Sequence, residues 1–205
     1  MTEWAFLDTL ETILEAGTEN AALGAMLARA QRLRSIDQWQ PLLAHIAAMP
    51  GIVAVAPTVS GAALARRGEA DKAITLYGIE REPFLRVSKL DEKIVAGQLL
   101  LNAGDVIIGT QLAQDLGVGL GDKIRIETAR SAGDAFTVRA LFDIGNREAN
   151  RRNVYVNFRT GQTLLDLAGG ASSLDIAIGD VFAAEKFAQA LRSQMNPHFI
   201  FNALN

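Results

Sequence analysis

Two histidines and no cysteine leave little in this chain for metal or thiol chemistry. His45 and His198 are far apart, and neither falls in a ligand spacing such as His-Glu-x-x-His, so no metal site is expected. The string "LGVGLGDK" places Gly117, Gly119 and Gly121 ahead of Lys123. A phosphate-binding loop needs G-x-x-x-x-G-K-[ST], so that backbone amides wrap the phosphate and a hydroxyl holds magnesium. Here Asp122 separates Gly121 from Lys123 and Ile124 stands where the hydroxyl belongs, so the string reads as a helix cap and a tight turn into a strand. No G-x-G-x-x-G fingerprint or G-x-S-x-G elbow occurs, Ser172 and Ser173 read as loop residues ahead of a strand, and no carboxylate pair stands out as acid and base. No catalytic residue, metal or cofactor is therefore assigned. One dense polar patch remains, "FDIGNREANRRN", with Arg147, Glu148, Arg151 and Arg152 between two strands. It reads as a solvated loop or, if it protrudes, as a surface that contacts a partner.

These residues sit in a chain of 205 residues, long enough to bury a sizeable core as one domain or two small ones. An apolar fraction of 49% beside 21% charged residues excludes a disordered chain. A formal charge of -3, with both signs scattered, provides no basic footprint and argues against a nucleic-acid partner. The most apolar stretches, "VAGQLLLNAGDVIIG" and "AALGAMLARA", are too short or too interrupted to cross a bilayer. Glu3, Asp8 and Glu11 stand where a signal peptide carries positive charge, so a soluble chain is expected.

The elements that position the patch follow from periodicity. Residues 1–36 are expected to form an amphipathic helical segment, two helices broken at Gly17, with Trp4, Leu7, Leu10, Ile13 and Leu14 on the face of the first. Asp37 and Gln40 suit a capping box for a helix with Trp39, Leu42, Leu43 and Ile46 on one face, stopped by Met49, Pro50 and Gly51. A β-rich run broken at Pro57 follows, then a strand whose core residues are Ile74, Leu76 and Ile79. Val106 to Ile108 read as a buried strand, Gln111 to Leu116 as a short helix capped by Gly117, and Ile124 and Ile126 as the inward positions of the next strand. Phe136, Val138, Ala140 and Phe142 are expected on one face of a strand, and Val154, Val156 and Phe158 on one face of another. A helix with Leu164, Leu165 and Leu167 ends at Gly169 and Gly170. The strand "SLDIAIGD" and a helix beginning at Asp180 complete the pattern.

In this order the blocks "IDQWQPLLAHIAAMPGIVAVAPTVSGAAL", "LYGIE", "DVIIGTQLAQDLGVGLGDKIRI" and "LFDIGNREANRRNVYVNFRTGQTLLDLAGGASSLDIAI" resemble the extracytoplasmic domain of FtsX-like ABC transporter permeases, a family with macrolide-exporter and lipoprotein-releasing types. The resemblance covers about residues 37–194. It implies an α+β fold in which residues 37–82 and 171–194 form a porter-like helix and strand layer and residues 83–170 a small strand-rich inserted subdomain, with the helices of residues 1–36 added in front. It further implies a non-enzymatic, periplasmic domain of an inner-membrane protein. Its partners would be the cognate transmembrane domain and ATPase subunit, a periplasmic adaptor or chaperone, and an amphiphilic substrate. In the family a transmembrane helix and an opening strand stand where residues 1–36 lie, so this segment is expected to be foreign to it.

The last residues, 195–205, point elsewhere. Pro197, His198, Phe199, Ile200, Phe201 and Asn202 are similar to the phosphoacceptor motif of LytS-like sensor kinases, which would make His198 a phosphoryl acceptor. No ATP-binding domain follows in this sequence, so the histidine could receive phosphate only in trans. The alternative reading is accordingly a sensor-domain fragment of a histidine kinase.

Overall fold

The computed structural model describes residues 35–179. The helices expected before residue 35, the helix from Asp180 and the tail with His198 lie outside the described residues. Those from Ile36 onward belong to one unit, in which helices and strands are mixed in an α+β arrangement.

The chain enters through helix α1 (Trp39–Ala47) and then strand β1 (Ile52–Arg67), strand β2 (Ala70–Ile79) and helix α2 (Arg81–Ser88). A 3-10 turn (Leu90–Lys93) leads into β3 (Ile94–Gly97) and β4 (Asp105–Gly109), followed by α3 (Thr110–Leu116) and the hairpin β5 (Lys123–Thr128) and β6 (Ser131–Phe142). Helix α4 (Arg147–Arg152), β7 (Asn153–Asn157), α5 (Phe158–Leu164) and β8 (Ser173–Ile178) complete it.

All strands among the described residues share one sheet, with the order β2-β7-β4-β6-β5-β1. Because β1 also pairs with β2, these six close into a ring, while β8 extends the first half of β1 and β3 lies against the end of β6. Strand β4 lies between β6 and β7, and all five of its residues are buried. A strand covered on both faces reads as a continuous apolar run, which is what Val106 to Ile108 provide.

Four corrections to the expected strands and first helix have physical causes. The expected break at Pro57 does not occur. Thr58 O accepts from Ser172 N, and Ser60 N donates to Ser172 Oγ, so residues 58 and 60 direct their backbone groups toward β8. Pro57 therefore turns its missing N–H to the opposite side, where pairing with β2 begins only at Thr58. The start of α1 also differs: Gln38, not Asp37, is the N-cap residue, in a left-handed conformation and without a side-chain cap, while Trp39 and Ile46 are buried as expected.

The third correction concerns β6. Phe136, Val138, Ala140 and Phe142 are all buried, yet they do not share a face. Val106 pairs with Val138 and Ile107 with Ala140, so Arg139 is an extra residue that flips the alternation. Phe136 and Val138 join a core with Leu76, Val106, Ile124 and Val154, onto which Leu112, Leu116 and Leu164 pack. Ala140 and Phe142 join a second core with Ile79, Phe84, Ile107 and Tyr155. Phe158 likewise leaves the face of Val154 and Val156, because the strand ends at Asn157 and Phe158 opens α5. It packs edge-on against Trp39, with ring centroids 5.5 Å apart.

Candidate functional site

The patch predicted as a loop is the six-residue helix α4. Asn146 caps it by accepting from Ala149 N at 3.0 Å. Inside, Asn150 is buried; its Nδ2 donates to Asp143 Oδ1 at 2.7 Å and its Oδ1 accepts from Ile144 N at 3.0 Å. Asn150 thereby ties the middle of the helix to the turn that precedes it.

The structure brings all four predicted residues into one polar relay and adds two from α3 that sequence reasoning missed, Gln111 and Asp115. Arg147 Nε donates to Gln111 Oε1 at 2.9 Å, and Gln111 Nε2 donates to Asp115 Oδ1 at 2.8 Å. Arg151 Nε donates to Asp115 Oδ2 at 2.8 Å and its Nη1 lies 3.8 Å from Glu148 Oε2. Glu148 Oε1 closes the chain on Arg152 Nε at 2.5 Å. Gln111 to Asp115 and Arg147 to Arg151 are each one helical turn apart, so α3 and α4 run side by side in the same direction. The i, i+4 spacing of these two pairs was the available signal, but nothing in one sequence says that helices 36 residues apart touch.

Electrostatically the relay sets three guanidinium groups against two carboxylates. The hydrogen bond from Gln111, supported by Arg151, holds the Asp115 carboxyl below the usual carboxylate range. Beside the relay, Arg147 and Asp143 face a cleft of about 340 Å³, together with Thr110, Gln111, Gln114 and Asn150. The Gly145 N–H and then Asn150 lower the Asp143 pKa, keeping that carboxyl charged. The cleft thus holds one fixed cation and one fixed anion in a polar wall.

A second cleft of about 460 Å³ was not foreseen. It lies where the parallel strands β2 and β7 end, between Glu80, Asn157, Arg159 and Trp39. The Trp39 Nε1 is buried with no hydrogen-bond partner among the described residues.

Among the described residues no three or more histidine, aspartate or glutamate side chains are grouped to hold a metal ion, and no helix is long and apolar enough to cross a membrane. His45 is exposed on α1, away from both clefts' linings. The glycine string caps α3 at Gly117, in a left-handed conformation, and turns at Gly119 to Asp122, where Gly119 N donates to Asp122 Oδ2 at 2.8 Å. His198 lies outside the described residues.

The chain is similar to solved extracytoplasmic domains of transporters. The extracellular domain of the noncanonic ABC-type transporter YknZ from Gram-positive bacteria aligns with a TM-score of 0.58 and 19% identity, covering 78% of this chain and 84% of that one. The periplasmic region of MacB from Actinobacillus actinomycetemcomitans aligns with a TM-score of 0.54 and 18% identity, covering 79% and 80%. At these identities the likeness shows the fold. In sequence, the lipoprotein-releasing system transmembrane protein LolC of Xylella fastidiosa is 25% identical over 177 residues, which is 80% of this chain and 42% of that protein. The LolC of Neisseria meningitidis serogroup B is 27% identical over 154 residues, or 69% and 37%. The chain thus spans less than half the length of these two relatives. The model of the MacB-like periplasmic core domain matches residues 8–194, a span that takes in most of the N-terminal segment and stops short of His198. None of these matches is to a sensor kinase. A match of that extent, on this fold, places the chain in the family of the MacB-like periplasmic core domain of ABC transporter permeases.

Proposed function

We propose that this domain is a non-enzymatic extracytoplasmic lever: it relays motion, driven by ATP hydrolysis in a separate subunit or domain, from the membrane part of a permease to a periplasmic partner or substrate. The observation that carries this reading is the family match over residues 8–194 together with relatives from a lipoprotein-releasing system. The partners are a transmembrane domain and ATPase, a periplasmic adaptor or chaperone, and an amphiphilic cargo. The surface of α4, with Arg147, Glu148, Arg151 and Arg152, meets the periplasmic partner. In this reading residues 37–82 and 171–194 act as the porter-like layer and residues 83–170 as the inserted part. The long strand β1 supports it, because it holds β8 on its first half and β2 and β5 on its second, making one stiff element that spans the domain.

Motion of this kind is a change between packings that offer different contacts. This chain has no cysteine, so a single cysteine introduced into it carries the only label once any cysteine elsewhere in the transporter has been replaced. A spin label at Arg152→Cys, on the partner-facing helix, and one at Arg130→Cys, on the turn between β5 and β6, are compared in the reconstituted full-length transporter with and without ATP. The expected result is a nucleotide-dependent change of mobility at position 152 when the periplasmic partner is present. Identical spectra at both positions in every nucleotide state would overturn the reading.

A further inference from the structure

We propose that the cleft between α3 and α4 receives a single acidic side chain from the partner protein, with Arg147 as the cation that binds it; the inference rests on the partner-facing reading above. The relay explains why Arg147 is the one arginine kept for this task. Arg151 is committed to Asp115 and Glu148, and Arg152 to Glu148. Arg147 instead meets a neutral acceptor, the Gln111 amide oxygen, through Nε. That bond fixes the guanidinium plane and leaves its terminal nitrogens, which are the pair that grips a carboxylate in a two-point fork. Gln111 cannot turn away to release it, because its amide nitrogen is anchored on Asp115.

The opposite wall sets the specificity. Asp143 lines the same cleft as Arg147 and is held charged by Gly145 N and Asn150 Nδ2. A run of several acidic residues would be repelled by it. One carboxylate flanked by neutral donors is not, since the donors meet Asp143 and the Gln114 amide while the carboxylate meets Arg147. A cleft of about 340 Å³ has room for one such side chain with its adjoining backbone.

The test titrates the full 205-residue chain with acetyl-Ser-Glu-Ser-amide and, separately, acetyl-Ser-Gln-Ser-amide, following amide and arginine Nε–H resonances by NMR. The glutamate peptide is expected to shift the Arg147 Nε–H and the Gly145 N–H. The glutamine peptide, or the Arg147→Gln variant with an unchanged unfolding midpoint, should bind about tenfold more weakly. Added salt should weaken the glutamate peptide alone. Equal shifts from the two peptides on the unaltered chain, or equal shifts at Arg130 and Arg159, would overturn the proposal, and the first outcome does not depend on how Arg147→Gln folds. A failed titration with a nucleotide-dependent label at position 152 would sink the cleft and leave the lever, whereas the reverse pattern would sink the lever alone.

Discussion

Gly109 and Asn150 meet backbone to backbone: a Cβ built on Gly109 would overlap the Asn150 carbonyl oxygen. Gly109 ends β4 and is the N-cap residue of α3, with extended rather than left-handed dihedral angles, so the glycine is required by space and not by conformation. This contact seats α4 against the start of α3 and brings the two helices within reach of the arginine relay. Gly109→Ala is therefore expected to push α4 outward and to cost about 1–3 kcal/mol of stability, as overpacking does. Urea unfolding measures the cost, and loss of the coupling between Arg147 and Gln111 by NMR reports the displacement.

The β6 bulge makes a second prediction. Arg139, the extra residue, sends its Nε to Asp105 Oδ1 at 2.6 Å, and Asp105 also accepts from the Asn102 backbone and side chain at 3.1 and 2.7 Å. Burial raises the pKa of Asp105, but the bonds from Arg139 and Asn102 outweigh it and the net shift is downward from 3.8. A lowered folded pKa stabilises the fold fully above the unfolded value, and that contribution is lost as pH falls through the folded one. Arg139→Met leaves the buried carboxylate without its cation and should cost about 1–3 kcal/mol at neutral pH. The penalty should shrink on acidification, because without Arg139 the buried Asp105 protonates in the variant before it does in the parent. Stability curves at neutral and acid pH that run parallel for the two proteins would rule this out.

The same bulge shows what a sequence can and cannot disclose. Positions 136, 138, 140 and 142 were legible as buried because each is apolar at every second place. The flip between Val138 and Ala140 was not, because the extra residue, Arg139, occupies the slot where alternation already expects a polar side chain. Strand β4 was legible because burial on both faces leaves Val106 to Ile108 as a continuous apolar run. Helix α4 was hidden for the opposite reason: its inward residue is Asn150, a polar side chain satisfied by Asp143 and the Ile144 N–H, so no apolar period marks the helix. The patch itself was visible as a density of charge. Its completion by Gln111 and Asp115 depends on a contact across 36 residues, which composition does not encode.

Gln111 is the joint of that relay, and replacing it separates the two halves. In Gln111→Met the Asp115 carboxyl loses its leading hydrogen bond and keeps Arg151. Its pKa should rise toward the ordinary aspartate value, which a carboxyl-carbon NMR titration reads directly. Because the pair is partly exposed, stability should fall by no more than about 1 kcal/mol. An unchanged titration of Asp115 would show that Arg151, not Gln111, holds it.

At the other face of the sheet, Tyr155 sits stacked on Tyr77, with ring centroids 5.4 Å apart, and between Phe84 and Phe142 at 5.8 and 5.4 Å. Burial, then the neighbouring Tyr77, pushes its phenol up from 10.0 to about 12. For a raised folded pKa the sign is the reverse of the aspartates: stability is complete below the unfolded value and drains away as pH rises through the folded one. Between pH 10 and 12 the unfolded chain ionises at Tyr155 while the folded one does not, so alkali should unfold the domain progressively across that window. Tyr155→Phe keeps the ring against Tyr77, Phe84 and Phe142 and removes the ionisation, so its stability should decline less over the same range. Ultraviolet titration should show the Tyr155 phenolate appearing together with the loss of circular-dichroism signal and not ahead of it. If the phenolate instead formed at ordinary pH in the folded domain, the second core would have to be open to water beside Phe142, and the packing that the Arg139 bulge creates would not exclude solvent as described.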